Sequence, residues 1–264
     1  MVDWADSRGV LHANVARKKF RLARHAPAPE LAPFVEHYWV VEYDLRGQPP
    51  YQQRVLPHPS VNVTVTGGWS RVAGVIRGHF DETLCDAGRV FGARFRPGGF
   101  RPFLDAPVSA VTDRFIPLPE IFGPGALEAA DAVLVAAGDS DAAVEMDRLL
   151  LLAAPRIDPV VDEVAAIVGL IAADPGLLRV GDLAARLGIG VRRLQRLFAE
   201  YVGAGPKWVI RLYRMHEAVQ RVEAGGEVGW AALAAQLGFS DQPHFVRDFT
   251  NLVGVPPTRY GGDA

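Results

Sequence analysis

The stretch Leu183-Ala184-Ala185-Arg186-Leu187-Gly188 returns fifty residues later as Leu233-Ala234-Ala235-Gln236-Leu237-Gly238. The correspondence runs on. Arg196 and Phe198 recur as Arg247 and Phe249, Val202-Gly203 as Val253-Gly254, and Pro206 as Pro257. The second copy holds one extra residue after its glycine. A small residue (Ala184) suits a close crossing of two helices, a glycine (Gly188) suits a turn of positive φ, and Leu194 returns to a small core. Ala234, Gly238 and Phe245 take those roles in the second copy. Two helix-turn-helix units, at about 180–203 and 230–254, account for this pattern, and such units commonly read DNA.

On the helix after the first turn, Leu194, Leu197 and Phe198 face inward. Arg192, Gln195 and Arg196 then share the outer face at i, i+3 and i+4. Arginine and glutamine make the bidentate contacts that distinguish guanine and adenine edges in the major groove. Arg193 suits a base edge, a phosphate or plain solvent. On the second such helix, Phe245 and Phe249 go inward, which leaves Gln242, His244, Val246 and Arg247 for the groove or its walls. Ser240 or Asp241 can cap this helix. Between the units, a helix over about 206–224 carries Trp208, Val209, Leu212, Met215, Val219 and Val222 on one stripe and stops at Gly225-Gly226.

The chain has 264 residues and a formal net charge of −2, with 49% hydrophobic residues. That is enough for two packed domains. The charge is unevenly spread. Val191 to Arg214 holds six basic residues (Arg192, Arg193, Arg196, Lys207, Arg211, Arg214) against Glu200, a local balance of +5. A local basic face is the footprint that matters, because salt screens phosphate attraction within about 8–10 Å. Lys207, Arg211 and Arg214 are candidate phosphate contacts. Gly226 to Leu252 is acidic by contrast, with Glu227, Asp241 and Asp248 against Arg247.

No apolar run reaches the ~18 residues of a membrane span, and Met1 to Phe20 lacks the apolar core of a signal peptide. Cys85 is alone, which suits a reducing cytoplasm, and it is expected as an ordinary buried or half-buried thiol. His37, His58 and His79 are scattered singly, without the clustered carboxylates of a metal site. No nucleophile–base pair stands at a diagnostic spacing. The expectation is a protein that is not an enzyme and has no cofactor, no metal and no membrane partner.

The first half is read as strands at 34–43, 61–66, 69–76 and 89–95, with Gly67-Gly68 as a hairpin signal. Two helices come next, over 126–137 and 141–153, the second with Val144, Leu149 and Leu152 on one side. Asp158 and Pro159 open a further helix. The predicted fold class is therefore α+β in two domains. Residues 1–155 form a β-rich, barrel-like domain ending in helices. Residues 156–264 form an all-α domain with two helix-turn-helix units. A barrel interior can hold a small ligand, with Tyr38, Trp39, His58, Asn62, Arg94 and Arg96 as candidate lining residues. Tyr38 and Trp39 lie on opposite faces of one strand, so at most one points inward.

From about Val160 to Tyr260 the sequence resembles the AraC/XylS DNA-binding domain. The markers are Leu183-Ala184, Leu194-x-Arg196-x-Phe198 and Gly203-x-x-Pro206, then Leu233-Ala234, Gly238-Phe239-Ser240-Asp241, Phe245-x-Arg247-x-Phe249 and Gly254-x-Pro256-Pro257-x-x-Tyr260. The resemblance implies two units joined by a long helix, entering successive major grooves with Arg192, Gln195 and Arg196, then Gln242, Pro243, His244, Val246 and Arg247. Gly190 replaces a frequent serine cap, and Pro243 cannot donate from its backbone. The first 155 residues resemble the N-terminal domain of an uncharacterised AraC-type subgroup, through Phe34-Val35-Glu36-x-Tyr38-Trp39, Pro57-His58-Pro59 and Phe95-Arg96-Pro97-Gly98-Gly99-Phe100. Together these resemblances imply a cytoplasmic transcription regulator, an activator by family habit. Its implied partners are duplex DNA, RNA polymerase, a small effector and a second copy of the chain. The competing reading is a constitutive DNA binder whose first domain only dimerises.

Overall fold

A computed structural model describes residues 9–223 and 229–260. Gly225-Gly226 and Glu227 lie outside the described residues, as do residues 1–8. The N-terminal part opens with a short helix α1 (Ala13–Ala16). Its eight strands are β1 (Arg21–His25), β2 (Val35–Asp44), β3 (Tyr51–Val55), β4 (Asn62–Thr66), β5 (Ser70–Ala73), β6 (Phe80–Leu84), β7 (Ala87–Phe95) and β8 (Phe115–Pro117). Helices α2 (Leu118–Phe122), α3 (Ala126–Val135) and α4 (Asp139–Leu151) close this part.

The strands form a six-stranded antiparallel sheet, ordered β1-β2-β7-β4-β5-β8, and a separate β3-β6 ribbon. The expected barrel is therefore not closed. β8 is three residues long and β1 five. Edge strands this short present too few backbone groups to complete a ladder across the open side.

Side-chain alternation decides which face of the sheet does what. Tyr38 and Val40 on β2, Ala93 and Phe95 on β7, and Val63 and Val65 on β4 are buried with Ala130, Val133, Met146 and Leu149 of α3 and α4. The intervening residues His37, Trp39, Arg94, Asn62 and Thr64 look towards the ribbon. The buried stripe of α4 is Ala142, Ala143, Met146, Leu149 and Leu150. Leu149 lies where expected, but Val144 and Leu152 are about half exposed. The helix begins two residues earlier than its sequence suggests, Val144 falls outside its i, i+4, i+7 stripe and Leu152 is its C-cap.

The C-terminal part is helical: α5 (Val160–Ala173), α6 (Val180–Arg186), α7 (Val191–Tyr201), α8 (Pro206–Glu223), α9 (Trp230–Gln236), α10 (Gln242–Val253) and α11 (Pro257–Tyr260). Asp158, expected as the N-cap, sits one residue before the N-cap Pro159 and accepts from the Val160 backbone N–H at 2.9 Å. Val164, Leu183, Leu194, Phe198, Val209 and Ile210 build one small core. Leu212, Met215, Val219, Leu233, Phe245, Phe249 and Tyr260 build a second. Helix α8 thus feeds both. Trp208 packs against both of them and against the N-terminal core.

Candidate nucleic-acid interface and ligand cavity

The two hairpins, α6–α7 and α9–α10, are built alike down to single hydrogen bonds. Gly188 N–H donates to Ala185 O and Ile189 N–H to Ala184 O. Fifty residues on, Gly238 N–H donates to Ala235 O and Phe239 N–H to Ala234 O. Gly188 and Gly238 hold φ of 65° and 69°, a conformation in which a β-carbon is strained. The extra residue of the second copy supplies a cap. Asp241 accepts from the His244 backbone N–H at 2.7 Å, whereas Gly190 caps α7 with no side chain.

Arg192, Arg193, Gln195 and Arg196 are all exposed along α7. On α10, Gln242, Pro243 and Arg247 are exposed. Val246 is half-buried against the second core. His244 is tied into the protein: its Nδ1 is 3.2 Å from Ser240 Oγ, its Nε2 is 3.5 Å from Asp248, and its ring stands edge-on to Phe239. The first unit therefore presents the fuller set of unengaged donors.

Two of the candidate phosphate contacts are engaged within the protein. Arg211 pairs with the buried carboxylate of Asp248 on α10. Arg214 is 8% exposed, donates to Leu237 O at 2.5 Å and lies 4.3 Å over the Phe239 ring. They pin α8 to the second unit. A basic residue on a helix's inner face cannot be told from an outer one by local charge alone. Lys207 is exposed.

The N-terminal part grips the carbonyl ends of both α7 and α10. Thr112 Oγ1 donates to Gly203 O at 2.7 Å just past α7, and Arg101 pairs with Glu200 at 2.6 Å. Arg54 Nη1 donates to Val253 O at the end of α10, and His79 lies 3.4 Å from Asn251 O. Arg96 pairs with Asp162 of α5 at 2.8 Å. On α8, His216 Nε2 donates to Pro57 O at 3.0 Å. His79 and Arg96 thus serve the seam between the domains.

Between the open sheet and the ribbon lies a cavity of about 260 Å³. Of the candidate lining residues, Trp39, His58, Asn62 and Arg94 are on its wall. Tyr38 and Arg96 are not. Tyr38 is fully buried on the opposite face, where its hydroxyl donates to Asp147 of α4 at 2.5 Å. Burial and that carboxylate push its pKa far up. Two further lining residues are not among the candidates: Arg24, on the unpredicted strand β1, and Arg71, on the strand expected at 69–76. Cys85, expected to be at least half-buried, is exposed.

Residues 23–117 match a family model described as a domain of unknown function (DUF6597). Residues 183–262 match one described as a helix-turn-helix domain. Over 85 residues the chain is 31% identical to the HTH-type transcriptional regulator Rv1931c of Mycobacterium tuberculosis, a match covering 32% of each protein. The chain thus spans about a third of that relative's length. Among solved structures, an AraC-type regulator from Chromobacterium violaceum is 26% identical, with 37% of this chain and 87% of that one covered and a TM-score of 0.34. ToxT from Vibrio cholerae is 12% identical, with 92% and 98% covered and a TM-score of 0.39. No described helix is long and apolar enough to cross a membrane. The repeated hairpins, their arrangement about one long helix and the matched family model all fall on the same residues: the C-terminal part of this chain is an AraC-type helix-turn-helix DNA-binding domain.

Proposed function

We propose that this protein is a cytoplasmic transcription regulator that reads duplex DNA with α7 and α10 and is controlled by a small effector in the N-terminal cavity. The observation that carries the DNA reading is the outward set Arg192, Gln195 and Arg196 on one exposed helix face. These side chains supply bidentate donors to base edges, while Arg193 and Lys207 stand ready for phosphates. Gln242 and Arg247 offer a sparser second set, with His244 and Val246 as the groove wall.

Effector control is supported by the position of the β3-β6 ribbon. By alternation, Gln53, Val55, Phe80 and Glu82 face the cavity. Arg54 and Asp81, directly opposed in the same ribbon, face away and pair at 2.5 Å. Arg54 reaches on to the end of α10. One ribbon is therefore both the cavity's wall and the second unit's anchor. A ligand that shifts the ribbon changes the placement of α10 relative to α7.

Selection of bound duplexes from a random pool with the full chain, followed by thermal shift against a metabolite panel, tests both halves. No enriched duplex at low ionic strength sinks the DNA reading. An enriched duplex with no stabilising metabolite favours the second reading, a constitutive binder whose N-terminal part serves assembly, with a second copy of the chain as its partner.

A further inference from the structure

The cavity wall is chemically one-sided. The strand register sets His37, Arg94 and Asn62 side by side across β2, β7 and β4. Two polar groups of the wall make no hydrogen bond within the protein. Arg94 Nε is buried without a hydrogen-bond partner, 3.3 Å from the exposed Glu36 carboxylate at a geometry that makes no bond. Ser60, 5% exposed, also leaves its Oγ without one. A buried polar group without a partner costs about 1–3 kcal/mol, so such groups mark where a ligand's polar end belongs.

The wall is also positive. It holds Arg24, Arg71 and Arg94 against Glu82, with Glu36, off the wall, paired to Arg94. Burial pushes the Glu82 carboxyl up, towards its neutral form. Burial, Arg94 and Arg24 push His37 down to about 3, so it adds no charge at neutral pH. Beyond Gln53, His58, Asn62 and Thr64, the rest of the wall is largely apolar. The Trp39 indole lies directly over Gly92, where a β-carbon would come within 2.2 Å of the ring. Phe115 and Trp69 hold the Arg71 guanidinium at 3.8 and 3.7 Å.

We propose that the cavity binds a compact aromatic carboxylate, with its carboxylate on Arg94 and Ser60 and its ring against Trp39. This rests on reading the N-terminal part as a sensor and names what it senses. A carboxylate entering an apolar site needs a guanidinium partner, and here the partner is already desolvated. An amine adds a fourth positive charge to the wall. A ligand without an acceptor leaves Arg94 Nε without a hydrogen bond. The volume, below the ~300–1,000 Å³ of most ligand sites, limits the ligand to one or two rings.

The test is titration calorimetry on the full chain with benzoate, 3-phenylpropionate and indole-3-acetate, each beside its own primary amide. The carboxylates are expected to bind at least about tenfold more tightly than their amides, the value of one charge-assisted hydrogen bond. Arg94→Gln should erase that difference, and Arg94→Lys should restore part of it. The carboxylate–amide comparison needs no variant, so it stands even where a variant misfolds. Amides that bind as tightly as the acids overturn the proposal and leave a ligand-binding sensor standing. Binding of neither series also overturns it, and the sensor reading is then judged by the metabolite panel alone.

Discussion

The imidazole of His58, on the cavity wall, lies 4.9 Å from that of His216, on the helix that joins the two DNA-reading units. His216 also donates to Pro57 O, so two successive residues of the N-terminal part rest on one side chain of α8. Helix α8 is shared by both small cores, and a shift at this point is felt by both units. His216→Ala removes one buried hydrogen bond and the ring contacts with His58 and Tyr213. Unfolding in urea should show a loss of about 1–3 kcal/mol, with faster amide exchange along α8. Unchanged exchange there would mean the seam does not brace the helix.

The grip on α10 runs through Arg54, which pairs with Asp81 and reaches Val253 O at 3.1 Å. Arg54→Ala should raise amide exchange over residues 242–260 and leave residues 191–201 unaffected. DNA affinity should fall several-fold, because the second unit must then be ordered on binding. Equal loosening of both units would contradict a local anchor.

Arg196 and Arg247 are equivalent by repeat position, and their surroundings differ. Arg196 belongs to an exposed basic face, while α10 carries Asp241 and Asp248. Arg196→Ala should cost about 1–3 kcal/mol in specific binding, and Arg247→Ala distinctly less. Equal losses in a fluorescence-anisotropy titration would show that the two units share the affinity.

Salt dependence separates outward cations from those engaged within the protein. Lys207→Ala should lower the slope of log K against log salt by roughly one, and Arg211→Ala should leave it unchanged. Arg211→Ala should instead lower stability by about 1–3 kcal/mol, since it removes the closest cation from the buried Asp248 carboxylate. A slope that changes with Arg211 would place that side chain on DNA.

Asp139 at the start of α4 meets Arg21 at 2.7 Å, Arg89 at 2.9 Å and His25 at 3.3 Å. Its hydrogen bonds with Arg21, followed by the charge of that guanidinium and by Arg89, hold its carboxyl well below the usual carboxylate range. A depressed folded-state pKa stabilises above the unfolded value of about 4 and loses that effect as pH falls towards the folded one. Asp139→Asn should cost on the order of 2–3 kcal/mol at pH 7, and the difference should shrink below pH ~4. A difference independent of pH would assign the loss to packing.

The C-terminal half was legible because its information is local and duplicated. Turn glycines, crossing alanines and inward aromatics sit at fixed helical spacings, so a repeat alone places two hairpins and their outer faces. The opposition of Tyr38 and Trp39 was equally plain, since strand alternation is a property of the backbone. Packing in three dimensions was needed to settle which of the two meets the cavity, that Arg211 and Arg214 are engaged within the protein, and that the sheet stays open. Each of those outcomes depends on what packs against a residue from a distant part of the chain: α3 and α4 on one face of the sheet, the ribbon on the other, and α10 against α8. Contacts of that kind are set by burying one element's surface on another, and no spacing along the chain records them.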